Sequence, residues 1–303
     1  MALTLLQMKS MFQDPMRQGI VDLLWQSSLV MQNLNFIEFN GTAYPYAQRK
    51  SLAGVAFRNL NGEFTRTAGV TNPAVENLSI LGGAIRTDSI AIATKGDRVR
   101  ANEIAGQVQA AGKFFDKNFL IGDPTVTPGA FYGLRKRLAG TQLITNSANG
   151  ALPTIAAVTQ LLDAVQGPNT DKRLLMNRTT RRNLSAAVVA AATGSLVMDQ
   201  GKQLQSFNDA PIIEVFKDEA EAEILQFNET CGASNACSSM YCVKFGGAVD
   251  ELDVQGIAGL PGKIAVSGPF NYGEYVEDVV QMVAGIGIFG GYSAARLQGI
   301  TAT

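Results

Sequence analysis

DRVRANEIAGQVQAAGKFFDKNFLIG, Asp97–Gly122, is the stretch from which the rest of the chain is read. Ile104, Val108, Ala111, Phe115 and Phe119 recur at helical spacing and form one apolar stripe. This predicts a helix over about 97–121, roughly 35 Å long and about twice the mean globular length. Asp97 stands where a side chain can accept the first orphan N–H groups. Gly122 stands where a left-handed residue ends a helix, and Pro124 bars continuation. Arg98, Arg100, Glu103, Lys113, Asp116 and Lys117 fall off the stripe and are assigned to a wetted face. The rod reads as a spine on which sheets hang.

On its N-terminal side the period changes. The run VAFRNLNGEFTRT, 55–67, carries Asn61-Gly62 between two strand-like segments. Asn-Gly suits a type I′ hairpin turn, in which both central residues need positive φ. The flanks hold Arg49, Lys50, Arg58 and Arg66 against Glu63 alone. With few large apolar residues, such a hairpin is either a solvated loop or an arm that pairs with acidic patches on a neighbour. Strands are expected near Val75–Leu81 and Ile85–Thr94, leading into the spine. Residues 1–35 read as an arm: Asp14-Pro15 opens a helix through Ile20, Leu23, Leu24 and Leu34, with Trp25 as a packing anchor.

On the C-terminal side, 123–152 is loop-rich, and Arg135, Lys136 and Arg137 read as a solvated face. Ile155, Val158, Leu162 and Val165 define a helix stopped by Gly167-Pro168. Residues 173–177 form a strand, and Asn177 can cap a second helix. Residues 211–216 form another strand. Asp218, Glu219, Glu221 and Glu223 lack calcium-loop spacing and read as a wet turn or short helix. Ile224–Glu229 and Met240–Phe245 flank CGASNAC as a hairpin, whose Cys231 and Cys237 could bridge. Tyr275–Phe289 suits a strand buried on both faces.

The chain has 303 residues, net charge −1, 17% charged residues and no histidine. A near-neutral chain sets up no field for nucleic acid or membrane. Without histidine there is no serine–histidine–aspartate triad and no imidazole to complete a zinc site with Cys231, Cys237 and Cys242. Sparse charge suits a chain that buries area against its own copies. Gly285–Gly290 spells GxGxxG, but only 13 residues follow, too few for a nucleotide-binding unit, and the glycines suit close approach in a strand. Gly256 to Gly262-Lys263 misses the phosphate-loop spacing, and Ile264 replaces the magnesium-binding hydroxyl. No signal peptide, membrane span, metal site or cofactor is expected, and no enzyme activity.

Four strings, in order, resemble tailed-phage major capsid proteins of the Hong Kong 97 type. They are Asn118–Asp123 followed by Gly133-Leu134, then 174–184 (LLMNRTTRRNL), 206–215 (SFNDAPIIEV) and 291–300 (GYSAARLQGI). The likeness spans roughly 36–300. It implies an α+β capsid fold: an N-terminal arm over 1–35, an extended β-hairpin loop over 44–77, a peripheral domain over 36–43, 78–125 and 278–303 containing the spine helix, and an axial α/β domain over 126–277. It implies self-assembly as pentamers and hexamers into an icosahedral head around double-stranded DNA. The loop residues Arg49, Lys50, Arg58, Asn61, Gly62, Glu63 and Arg66 would then touch an adjacent subunit. The short arm implies a separate scaffolding protein or none, and a portal and decoration proteins join the implied partners. The virion is the implied location, with assembly in the host cytoplasm. The covalent cross-link of the type member needs a hairpin lysine, an asparagine and a glutamate. Here Lys50 sits at the hairpin base, and Asp278 and Gly285 occupy the other two positions, so non-covalent contacts are expected. An encapsulin-type compartment shell is the alternative, and a nucleotide-using soluble α/β enzyme a more distant one.

Overall fold

A computed structural model describes residues 2–3, 23–24, 26–191, 206–246, 253–259 and 264–303. Trp25, the expected helix start at Asp14-Pro15, and Gly262-Lys263 lie outside the described residues, as do the side chains of Arg49 and Lys50.

In chain order the strands are β1 (Ala2–Leu3), β2 (Phe36–Phe39), β3 (Ala43–Ser51), β4 (Val70–Asn77), β5 (Ser79–Asp88), β6 (Leu143–Thr145), β7 (Lys172–Met176), β8 (Ser206–Phe207), β9 (Ala210–Glu214), β10 (Glu229–Cys231), β11 (Ser234–Lys244), β12 (Val254–Gly259), β13 (Ile264–Asn271), β14 (Tyr275–Ile288) and β15 (Ala294–Thr301). The helices are α1 (Leu29–Asn33), α2 (Ser89–Lys95), α3 (Arg98–Ile121), α4 (Leu134–Arg137), α5 (Ile155–Asp163) and α6 (Arg178–Ala191).

Two sheets carry the body. In the first, β14 is central. Its residues 275–284 pair antiparallel with β5 on one edge. On the other edge it pairs first with β13 and then with β12, and β12 continues in parallel to β2. The long apolar run at 275–289 therefore forms a strand paired on both edges, but it is buried on both faces only over 284–287; before that, burial alternates and Gln281 is exposed, so one face stays open. The second sheet runs β6-β15-β11-β7-β9-β8, with β10 beside β11. Here β7 and β9 are parallel and β7 is followed by α6, the mixed pattern expected from 153 onward. Asn177 caps α6, its Oδ1 accepting from Thr180 N at 2.7 Å.

Sheet pairing cuts across the expected line at 277/278. β12 and β13 belong with β14, whereas β15 belongs with the second sheet. Sequence order alone does not reveal such an exchange, because both terminal strands are equally apolar. The segment Ser89–Thr94, expected as strand, is helical in α2; Asp88 ends β5 and caps the helix, accepting from Ile90 N at 2.7 Å. The hairpin near the cysteines is β10–β11, turning at Gly232-Ala233, so Ile224–Asn228 is not a strand. The Cys231 and Cys237 sulfurs meet across it as a disulfide, while Cys242 is free and buried.

The spine α3 has the predicted length but different ends. Asp97 is already in helical conformation and makes no side-chain cap. Gly122 is not left-handed, with φ −52° and ψ 133°. Its glycine serves close approach instead. A Cβ there would meet Asn118 O and Phe131 O, and one at Gly133 would stand 2.5 Å from Gly122 N. Two backbones thus cross where the helix ends, joined by Gly133 N to Gly122 O at 2.9 Å.

Ile104, Val108, Phe115 and Phe119 are buried along the spine and Ala111 packs beside them. The opposite face is not simply wet. Asp116 is only 7% exposed. Its carboxylate accepts from Ser28 Oγ and, at 3.1 Å, from Leu29 N, capping α1 of the arm. Gly112 admits this contact, since a Cβ would strike Ser27 Oγ. Burial pushes the Asp116 carboxyl up to about 7, against the lowering effect of the hydrogen bonds from Ser28, Leu29 and Val30. Arg100 grips the fully buried Asp278 with two hydrogen bonds, of 2.6 and 2.8 Å. Lys113 pairs with Glu221 at 2.9 Å and Lys117 with Asp218 at 2.9 Å. The acidic run 218–223 is therefore a turn clamped to the spine, not a free wet segment. Helical periodicity locates an apolar stripe, but it does not show that charged positions beside it meet partners from distant sequence.

Candidate functional site

Among the described residues, the strands β3 and β4 pair only with each other, from Ala43↔Asn77 to Ser51↔Val70. They carry an extended tip, 52–69, away from both sheets. Ribbon alternation places Tyr44, Tyr46 and Glu76 on one face, because Tyr44 lies opposite Glu76 and Tyr46 two residues along. That face meets the body. Tyr44 and Tyr46 set their ring edges against Phe289, with centroids 5.9 and 5.0 Å away. Arg137 of α4 donates to both oxygens of Glu76, at 2.7 and 2.6 Å, and its Nε donates to Tyr132 O at 2.7 Å. Tyr46 O–H donates to Glu76 Oε1 at 3.1 Å. Burial, with Glu76 beside it, pushes the Tyr46 phenol up to about 12.

The Arg135–Arg137 cluster, expected to be solvated, instead binds three parts of the chain. Arg137 holds Glu76, Lys136 holds Asp123 at 2.8 Å, and Arg135 lies 3.5 Å from Glu229. Lys136, together with hydrogen bonds from Thr125, draws the Asp123 carboxyl down to about 2. Buried Glu229 also accepts from Arg296 at 2.7 Å, tying β10 to β15.

At the tip the turn differs from type I′. Gly62 N donates to Asn59 O at 3.0 Å, and Asn61 alone has positive φ, 67°. That places Asn61 third in an Asn59–Gly62 turn, as in type II. Arg58 donates to Gly62 O at 3.0 Å and lies over the Phe64 ring. The surface also differs from the expectation of few large apolar groups. Leu52, Val55, Phe57, Leu60 and Phe64 all stand in solvent, Phe57 with its whole side chain free at 108% relative exposure. The signal for this patch was present as a loose apolar series in 52–64, but it has no fixed period and was hidden behind the basic residues. Of the expected contact residues, Arg58, Asn61, Gly62, Glu63 and Arg66 share this tip, whereas Arg49 and Lys50 lie on the ribbon in β3.

Among the described residues no group of three or more His, Cys, Asp or Glu could hold a metal, and no helix is long and apolar enough to cross a membrane. Gly285 and Gly287 of the GxGxxG string lie within β14, not in a phosphate loop.

A two-sheet body, a long spine and a protruding ribbon can be compared directly with known proteins. The fold matches the holo-SrpI encapsulin complex of Synechococcus elongatus PCC 7942 with TM-score 0.65 and 15% identity, over 90% of this chain and 88% of that one. It matches the capsid of a native GTA particle with TM-score 0.63 and 14% identity, over 91% and 90%. The Mycobacterium phage Bobi structure matches with TM-score 0.60 and 12% identity, over 89% of each chain. No curated protein sequence matches. Residues 13–157 match the family model of major capsid protein GP7, which takes in the ribbon and the spine. Family match and fold together speak for a phage head shell protein with the Hong Kong 97 capsid fold. It is therefore a structural protein of the phage head, not an enzyme, and it acts by associating with its own copies.

Proposed function

We propose that this capsid protein closes an icosahedral head around double-stranded DNA through non-covalent contacts in which 52–69 overlaps an adjacent subunit. The single observation supporting the reading is the exposed tip. Leu52, Val55, Phe57 and Leu60 are held in water, and Phe64, with the Arg58 guanidinium over its ring, is still 60% exposed. Each gains about 1.5–3 kcal/mol on full burial, so a neighbour's surface is the natural place for them. Arg58, Glu63 and Arg66 would set register there, and Arg49 and Lys50 would act along the ribbon. Asp278 is gripped by Arg100, which supports shells without an isopeptide weld at that position. Pentamers and hexamers follow for a closed shell, with the first sheet peripheral and the second axial. A separate scaffolding protein, a portal and decoration proteins are further partners on this reading, with assembly in the host cytoplasm. Most spine cations are already paired within the chain, which suits weak, non-specific proximity to DNA.

The test is deletion of 54–69. The variant is expected to stay folded and soluble, yet form no closed shells by negative-stain microscopy. Normal capsids from it would refute the overlap. The similarity to an encapsulin gives a second reading, a compartment shell. Shells holding a defined protein cargo and no genome would favour that one.

A further inference from the structure

Among the described residues the ribbon shares no backbone ladder with either sheet, so beyond its chain connections its direction is left to side chains at its root. Two kinds of contact act there. Phe289 touches Tyr44 and Tyr46 edge-on, an apolar contact with little directional demand. The Arg137–Glu76 pair is different. Two parallel hydrogen bonds between planar groups fix distance and angle together. Arg137 is itself held by the body through Tyr132 O. Both partners are mostly shielded, each side chain 14% exposed, so solvent weakens the pair little. A cavity of about 440 Å³ opens beside it, lined by Tyr46, Glu76, Tyr132 and Gln142, among others. There is space for the ribbon to tilt, and one ion pair spans that space.

We infer that Glu76, held between Arg137 and Tyr46, is the positioning residue that sets the tilt of the extended loop, and so selects which part of a neighbouring copy the tip meets. This rests on the overlap proposed above. Lever length makes the node matter. At about 3.3 Å per residue, Ala43–Ser51 is roughly 30 Å long. About 10° of tilt at the root moves its far end by roughly 5 Å, more than the ~4 Å reach of an apolar contact.

The experiment uses the unassembled subunit with spin labels at Asn61→Cys and Asn102→Cys, one on the tip and one on the exposed side of the spine. Cys242 is buried and Cys231 and Cys237 are bonded, so neither interferes. The parent should give one narrow distance distribution. Arg137→Ala should broaden and shift it, and its shells should lose their uniform diameter in micrographs. The exchanged pair Glu76→Arg with Arg137→Glu should restore both, which a general loss of stability would not allow. Tyr46→Phe removes one hydrogen bond without a cavity and should broaden the distribution less; it serves if Arg137→Ala fails to fold by circular dichroism. An unchanged distribution in a folded Arg137→Ala or Tyr46→Phe subunit overturns the inference. So does a broadened one with parental shells. Failure of the overlap reading shows elsewhere, as normal shells from the 54–69 deletion.

Discussion

Phe57 and Phe119 are the same side chain used in opposite ways. Phe119 of the spine is 0% exposed, packed with Phe115 and Phe245, while Phe57 of the loop tip is wholly in water. The spine completes its apolar contacts within one chain, because β14, the arm and the 218–225 turn all close on it. The loop has none of these, only its own other strand. The difference teaches that the two regions belong to different folding problems. One is solved when a subunit folds; on the overlap proposed above, the other is solved when subunits meet.

Substitutions at the two sites should separate these problems. The largest effect belongs to the spine. Phe119→Ala should cost about 3–5 kcal/mol of subunit stability through the cavity it leaves, measured by urea unfolding of the unassembled protein. A cost near zero would mean that the spine is not the core it is described as. A smaller effect, specific to pH, belongs to Asp116. Its folded pKa, about 7, lies above the ordinary carboxylate range, so the folded subunit holds this proton more tightly than the unfolded chain does. The stabilisation is fully present below the unfolded pKa, roughly 3.9, and is lost as pH rises through about 7. Asp116→Asn should flatten that part of the stability–pH curve, and an unchanged slope would assign it to other groups. The smallest effect on the subunit belongs to the tip. Phe57→Ser should leave stability within about 0.5 kcal/mol while reducing shell yield. If it destabilises the lone subunit by much more, the contrast with Phe119 fails.

Much of the spine was legible because helical periodicity is a local property: Ile104, Val108, Phe115 and Phe119 announce a buried stripe within one window. The strand–cap–helix unit at 172–191 was legible for the same reason, down to the Asn177 cap. What stayed hidden depends on distant sequence. Asp116 looks like any charged position until Ser28 and Leu29 arrive, 88 and 87 residues away. Arg137 looks like one of three solvated cations until Glu76 meets it, 61 residues away. The exposed tip was misjudged for a different reason. Its charged residues are mostly basic, while Leu52, Val55, Phe57, Leu60 and Phe64 are spaced by three, two, three and four residues and keep neither a helical nor a two-residue period.

A ribbon of two strands has two free edges, and each edge displays N–H and C=O groups that any other strand could join. Such edges seed sheet-to-sheet aggregation unless something interrupts them. β3 and β4 each carry a proline, Pro45 opposite Val75 and Pro73 opposite Ala47. Neither proline has an N–H to offer, so each breaks the row an invading strand would need. Edge-to-edge pairing of one ribbon with another is thereby disfavoured. The loop is a poor template for a fibril and, on the overlap proposed above, stays available for the side-chain contacts of a shell.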